Sequence, residues 1–149
     1  MAKRILVPLD GSPTAEGVIP LVADAARGGG ATVRLLHVAP MPVPRVTRDG
    51  RVVAYADQER ERLESEGLDY LRAVEARLDG VPVECAVRFG EPLAEILREA
   101  DAFSADLIAV TTAGRSGLSR VALGSVAEQV FRKASIPVVL FHAGAPAAG

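Results

Sequence analysis

Short runs of apolar, β-branched residues alternate along this chain with stretches whose apolar residues recur every three or four positions. Runs at 4–9, 32–38, 106–110 and 136–141 predict buried strands, and a more alternating run at 81–89 predicts a strand nearer a sheet edge. Strands that alternate with helices are joined by right-handed crossovers. The pattern therefore predicts an α/β fold: a doubly wound, five-stranded parallel sheet with helices on both faces.

Four amphipathic helices are predicted between these strands. The first covers 14–27, the second lies in the charged segment 57–79, the third opens at 91–92 and the fourth runs from about Ser125. Ser12 is the expected N-cap of the first helix, with Pro13 at its first helical position. The expected buried stripes are Val18, Leu21, Val22 and Ala25; Leu63, Gly67, Leu71, Val74 and Leu78; Leu93, Ile96, Leu97 and Ala100; and Val126, Val130, Phe131 and Ala134.

The remaining segments predict one domain at 1–142 with a disordered tail at 143–149. The stretch 39–54 is rich in proline and glycine without a clear period, so we expect a long surface loop that is a candidate lid. The other charges of 57–79 are expected to form a solvated helix face.

Composition excludes several classes of protein. With 17 basic and 19 acidic residues the formal net charge is −2, so no overall positive field favours nucleic acid or an anionic membrane. No run approaches the roughly 20 apolar residues of a membrane helix, and the N-terminal apolar run is too short for a signal peptide. We therefore expect a cytoplasmic protein. The single cysteine, Cys85, excludes an internal disulfide and is expected to be a buried, inert thiol.

Two loops follow strands whose carboxyl ends are expected to meet, the position where doubly wound sheets bind ligands. The first loop, PLDGS at 8–12, contains Asp10, whose carboxylate is suited to ribose hydroxyls, an adenine amine or a hydrated metal. Alternatively, Asp10 forms an Asx turn that reverses the chain.

The second loop is TTAGRSGLSRVALGS at 111–125. Its glycines let backbone N–H groups approach an anion, and the helix that starts at Gly124 and Ser125 adds orphan donors and a positive dipole end. Ser125 also begins a capping-box pattern, S-V-A-E, which explains the serine by helix initiation alone. Arg115 and Arg120 are either phosphate ligands or solvated surface residues.

Other site chemistry is not supported. The chain has neither a GxxxxGK[ST] motif nor a GxGxxG motif after the first strand, and it lacks the acidic pair and lysine of a phospho-acceptor receiver. No Ser-His-Asp, Cys-His or metal-ligand cluster can be assembled at the strand ends, and His37 is expected to be a satisfied core residue. We therefore expect no efficient catalysis and at most a slow ATPase.

Three segments together resemble the universal stress protein family: ILVPLDGSPTAE, LLHVAP and GRSGLSRVALGSVAEQVFRKASIPVVLF. The resemblance spans nearly the whole chain. Nucleotide-binding members of that family carry G-x2-G-x9-G-[ST], and Gly114, Gly124 and Ser125 match its last three positions. The first glycine is replaced by Thr111, a β-branched residue that does not readily adopt positive φ.

The resemblance implies a strand order of 3-2-1-4-5 and a crevice beside the first strand. It also implies ATP, ADP or AMP as ligand, with Mg²⁺ accompanying a triphosphate. In this reading Asp10 lies near adenine or ribose, Val38 offers its backbone to adenine, and the helix N-terminus holds the phosphates. The implied nucleotide-binding residues are Pro8, Asp10, Val38, Gly114, Arg115, Gly124, Ser125 and Val126.

The implied function is stress sensing or regulation by a homodimer that pairs through the last strand, 136–141. That strand is apolar, and an uncovered edge of this kind invites unwanted pairing. The alternative is a nucleotide-free interaction module like the family branch without the glycine pattern. Thr111 favours this alternative, and it is opposed by Gly114, Gly124, Ser125 and Asp10.

Overall fold

A computed structural model of the chain describes residues 3–112 and 123–142. Its main sheet has five parallel strands, and a short two-stranded antiparallel ribbon lies apart from it. The elements in chain order are β1 (Arg4–Leu9), a 3₁₀ turn (Ala15–Val18), α1 (Ile19–Gly29), β2 (Thr32–Ala39), β3 (Arg45–Val46), β4 (Val52–Ala54), α2 (Ala56–Glu75), β5 (Val83–Phe89), α3 (Pro92–Phe103), β6 (Leu107–Thr112), α4 (Leu123–Lys133) and β7 (Val138–His142).

The predicted sheet is confirmed. Its order is β5-β2-β1-β6-β7, which is 3-2-1-4-5 when the five main strands are counted alone. The ladder between β2 and β5 pairs seven residues of each strand, whereas that between β1 and β6 pairs only two. β1 is the strand beside which the order reverses, so β2 lies on one side of it and β6 on the other.

Two of the predicted helix stripes are rotated. In α1 the buried residues include Ile19, Ala23 and Ala26, while Leu21 and Ala25 are exposed. In the fourth helix Ala127 is buried and Phe131 is 55% exposed. The predicted first helix begins with a 3₁₀ turn. A 3₁₀ turn has fewer residues per turn than an α-helix, so it changes which residues of α1 face the core. The N-cap of this turn is Thr14 and not Ser12, although the Ser12 Oγ accepts from the N–H of Ala15 at 3.1 Å.

The segment expected to be a loop holds the ribbon β3–β4. Gly50 adopts φ 83° in its turn, where the hydroxyl of Thr47 bonds to Asp49 and the N–H of Thr47 donates to the carbonyl of Arg51 at 2.8 Å. The ribbon is joined to α2 because Arg45 pairs with Glu59 at 2.6 Å. Glu59 is only 5% exposed. The expectation that the charged residues of 57–79 form a solvated helix face was therefore wrong for Glu59.

Glu59 also accepts from Arg62 at 2.8 Å, and these arginines lower its carboxyl pKa. A buried carboxylate needs such partners because burial without them is costly. The hydrophobic core itself lies on both faces of the sheet, where β1, β2 and β6 supply seven of the twelve largest fully buried side chains.

Candidate functional site

A crevice is expected at the carboxyl end of β1, where Pro8 removes one backbone donor from the sheet. The carbonyl of Arg4 accepts from Asp106 beside β6 at 2.8 Å, so the even-numbered residues of β1 direct their backbone toward β6. Pro8 has no N–H to donate there. The β1–β6 ladder accordingly stops at the pair Leu6 and Ile108, although β1 continues to pair with β2 as far as Leu9.

The loop after β1 is organised by Asp10. Its Oδ1 accepts from the N–H of Ser12 at 2.9 Å and from the Ser12 hydroxyl at 2.6 Å. This is the Asx turn that was one of the two interpretations of the residue. Asp10 is half-buried, and Gly11 follows it with φ 87°. The turn therefore fixes the carboxylate at the end of the strand.

Side chains from α2 and β2 pack against the residues around this loop. The ring of His37 lies 5.8 Å from that of Tyr70, and its Nδ1 is 3.0 Å from the carbonyl of Leu9. The hydroxyl of Tyr70 donates to Glu16 at 3.0 Å, and Glu16 also accepts from Arg77 at 2.7 Å. Burial raises the pKa of Tyr70, and the neighbouring Glu16 raises it further. Tyr70 therefore stays neutral and keeps its proton for this bond.

His37 is the satisfied residue that the sequence predicts. Tyr70 and Glu16 were not singled out from the sequence. The signal for Tyr70 was its position three residues after Gly67, on the buried stripe of α2. Gly67 is needed there because a Cβ would lie 2.9 Å from Cγ2 of Val87 and 3.2 Å from Cδ2 of His37.

Val38 borders the same crevice through its backbone. The N–H of Thr32 donates to Lys3 at 2.8 Å, so even-numbered residues of β2 direct their N–H and C=O groups toward β1. Val38 lies one residue past the last β1–β2 pair, which joins Leu9 and His37. Its carbonyl thus faces the space where β1 has ended.

Thr111 is buried at the end of β6, with 1% of its surface exposed. Its Oγ1 donates to the carbonyl of Ala15 at 3.1 Å and so joins β6 to the 3₁₀ turn. A Cβ on Gly17 of that turn would lie 3.8 Å from Cγ2 of Thr111 and 3.2 Å from the ring of Phe141. The hydroxyl of Thr111 therefore serves an internal contact in this structure.

The helix expected to hold phosphate is described over Leu123–Lys133 and includes Gly124 and Ser125. The capping-box pattern predicts Ser125 at the cap, whereas Leu123 and Gly124 before it are already helical. Ser125 is exposed, and Val126 is partly buried against the core. Gly114 and Arg115, with the rest of 113–122, lie outside the described residues, as does the predicted tail at 143–149.

Within 3–112 and 123–142, no three His, Cys, Asp or Glu side chains come together as ligands for a metal ion. No helix among the described residues is long and apolar enough to cross a membrane. Burial raises the pKa of the Cys85 thiol to about 11, with Glu75 adding to the effect, so the thiol is inert at neutral pH.

The fold is that of a doubly wound α/β protein, whose strand order reverses between β1 and β6, the place where sheets of this class bind ligands. The family model for universal stress proteins matches residues 1–142. A universal stress protein of Methanocaldococcus jannaschii is 31% identical over 141 residues, which cover 93% of this chain and 81% of the relative. Universal stress protein YxiE of Bacillus subtilis is 30% identical over 146 residues, covering 94% and 99%. The chain belongs to the universal stress protein family.

Solved structures share the fold. A hypothetical protein whose biochemical function was assigned from its structure matches with a TM-score of 0.75 and 26% identity, over 96% of this chain and 97% of that one. A universal stress protein from Archaeoglobus fulgidus in complex with dAMP matches with a TM-score of 0.56 and 25% identity, over 93% and 96%. A universal stress protein in complex with cAMP shares the fold at 20% identity, with a TM-score of 0.67 over 95% and 97%.

Proposed function

We propose that this protein binds ATP or a related adenine nucleotide in the crevice at the carboxyl ends of β1 and β6. The observation that carries the proposal is that the β1–β6 ladder ends at Leu6 and Ile108, so that Pro8 leaves no backbone donor on the β6 side next to Asp10 and the backbone of Val38. Family members in complex with dAMP and cAMP support an adenine nucleotide as the ligand.

In this proposal the adenine amine donates to the Val38 carbonyl, and Asp10 accepts from the ribose hydroxyls. The first turn of α4, with Gly124, Ser125 and the N–H of Val126, holds phosphate together with Gly114 and Arg115. Mg²⁺ accompanies a bound triphosphate through phosphate oxygens and water.

In this proposal the nucleotide-bound protein acts as a stress-response sensor or regulator in the cytoplasm. The protein is a homodimer in which the two copies pair through β7. Exposed apolar side chains near that edge favour the dimer, since Phe131 on α4 is 55% exposed and Val139 on β7 is 37% exposed. Light scattering tests this state: we expect a mass of at least two chains, and a monomer over the whole micromolar range would contradict it.

The first experiment is to denature the purified protein and chromatograph any released nucleotide. Calorimetric titration with ATP, ADP and AMP, with and without Mg²⁺, follows. We expect a bound adenine nucleotide or a measurable affinity. Neither a released nucleotide nor binding at millimolar ATP with Mg²⁺ would reject the proposal.

A matched pair of variants tests the location of the site. Gly124→Val places a branched side chain in the first turn of α4 and is expected to block binding sterically. Gly28→Val makes the same chemical change near the end of α1, where a Cβ meets nothing within 4 Å, and is expected to leave affinity unchanged. Equal affinity in both variants would place the phosphates elsewhere.

A nucleotide-free interaction module is the second candidate, and Thr111 is the observation that favours it. The residue fills the position of the first family glycine and is already bonded to Ala15. The same titration separates the two candidates.

A further inference from the structure

The outer edge of β5 presents a row of backbone groups away from the sheet. The carbonyl of Pro82 accepts from Val33 of β2 at 2.9 Å, and the N–H of Gly90 donates to Ala39 at the end of β2, also at 2.9 Å. Even-numbered residues of β5 therefore face β2, and odd-numbered ones face outward. The outward-facing residues are Val83, Cys85, Val87 and Phe89.

This edge lacks several of the devices that usually prevent strand pairing, namely proline, lysine and a β-bulge. All seven residues of β5 pair with β2 in unbroken register, and the strand, VECAVRF, contains neither proline nor lysine. No hydrogen bond from the described residues reaches its outward backbone groups. A groove of about 440 Å³ runs along the edge between α2 and α3, bordered by Met41, Arg60 and Glu95 among others.

The strand is complementary in charge to itself. If two copies pair antiparallel about a two-fold axis at Ala86, Glu84 of each copy faces Arg88 of the other. Both are even-numbered, so they form a pair without direct backbone bonds, the closer kind of antiparallel pair. Opposite charges in that position stabilise a ladder. In the same register the outward-facing backbones of Cys85 and Val87 exchange hydrogen bonds.

Both charges are available for such a pair. The side chain of Glu84 is 51% exposed, and Arg34 occupies its Oε1 at 2.6 Å. The side chain of Arg88 is 32% exposed, and it binds Glu99 through Nε and Glu95 through Nη1. These contacts leave Oε2 of Glu84 and Nη2 of Arg88 for a facing strand, while they hold both side chains in place.

We propose that the outer edge of β5 is a second self-association surface, which pairs antiparallel with the same edge of another copy about Ala86. It lies on the opposite side of the sheet from β7. Pairing through both edges joins chains into a continuous sheet and gives assemblies larger than a dimer. The surface needs no nucleotide, so it stands apart from the proposed ligand site.

Disulfide trapping in the purified protein tests the register. In a Cys85→Ser background, Ala86→Cys places two thiols on the axis, where opposed Cα atoms about 4.5 Å apart suit a disulfide. Glu84→Cys in the same background is the control, because its two copies lie roughly 13 Å apart. We expect mild oxidation to give a covalent dimer with Ala86→Cys alone. No covalent dimer, or equal amounts from both variants, would overturn the proposal.

Sedimentation velocity over a concentration series tests the charge pairing without a new cysteine. Glu84→Arg and Glu84→Gln both lose the contact with Arg34, but only the arginine meets a like charge on the other copy. We expect Glu84→Arg to weaken formation of species beyond the dimer roughly tenfold relative to Glu84→Gln, from two like-charge pairs. If both variants and the parent show the same distribution of sedimenting species, two copies do not pair at this edge. That outcome also covers the case in which the edge binds a different peptide.

Discussion

Replacing Thr111 with valine separates a structural role for this residue from a ligand-binding role. Valine keeps the branched shape but removes the hydroxyl that donates to the Ala15 carbonyl at 3.1 Å. The site is 1% exposed, so water does not replace the lost donor. Loss of a buried hydrogen bond of this kind costs about 1–2 kcal/mol, which for a chain of this length lowers Tm by about 3–6 °C.

Urea and thermal unfolding followed by circular dichroism measure this loss. Thr14→Val is the matched control, because Thr14 is exposed and its side chain makes no capping bond to the 3₁₀ turn. We expect the control to change the free energy of unfolding by less than about 0.5 kcal/mol. If Thr111→Val is as stable as the parent, the bond to Ala15 contributes nothing and the structural reasoning is wrong.

Nucleotide titration of the same variant supplies the second half of the test. Because the hydroxyl already serves Ala15, affinity should stay within about twofold of the parent, whereas a lost ligand hydrogen bond would weaken it about tenfold. Thr111→Gly restores the family residue and should bind as well or better. It should also be less stable than Thr111→Val, since it removes buried side-chain atoms as well. A large loss of affinity in Thr111→Val with unchanged stability would assign the hydroxyl to the ligand.

Three further substitutions or treatments probe the packing around the site. Gly67→Ala should lower the free energy of unfolding by about 1–3 kcal/mol, because its Cβ would lie 2.9 Å from Val87 of β5. Gly28→Ala is the control: a Cβ there meets open space, so this change should raise the free energy of unfolding by up to about 1 kcal/mol. Tyr70→Phe should cost about 1 kcal/mol in chemical unfolding through loss of the bond to Glu16, and no change would show that water replaces it. The thiol of Cys85, with its pKa raised to about 11, should react slowly with a disulfide reagent at pH 8 and quickly once the chain is unfolded. Because the unfolded thiol ionises at lower pH, the free energy of unfolding should fall as pH rises above its ordinary pKa until about 11.

Periodicity was sufficient to predict the sheet, since buried strands and amphipathic helices leave different repeats in the sequence. It did not place every helix face. Leu21 and Phe131 are apolar but exposed, because the buried face depends on where the preceding turn ends and which strands lie beneath. Glu59 was read as solvated because its partner Arg45 comes from a ribbon without a recognisable period.

The candidate site was predictable to the extent that it follows from topology. Asp10 and Val38 come directly after or at the end of neighbouring strands, so a parallel sheet brings them to one edge. The contact between Thr111 and Ala15 joins positions 96 residues apart, and no spacing rule identifies it. The sequence shows that Thr111 departs from the family pattern, but only the structure shows which atom its hydroxyl binds.

The proposed ligand site depends on the backbone more than on charged side chains. Pro8 removes one ladder donor on the β6 side, and the end of β1 leaves the Val38 carbonyl facing the gap. A carbonyl accepts hydrogen bonds and cannot donate them. In the proposed site it therefore favours the amino group of adenine over the carbonyl of guanine, whatever side chain stands at position 38. The discriminating atom belongs to the main chain, so selectivity for adenine over guanine should survive Val38→Ile. It should fall if a change after Leu9 extends the pairing of β1 and β2 so that the Val38 carbonyl is occupied.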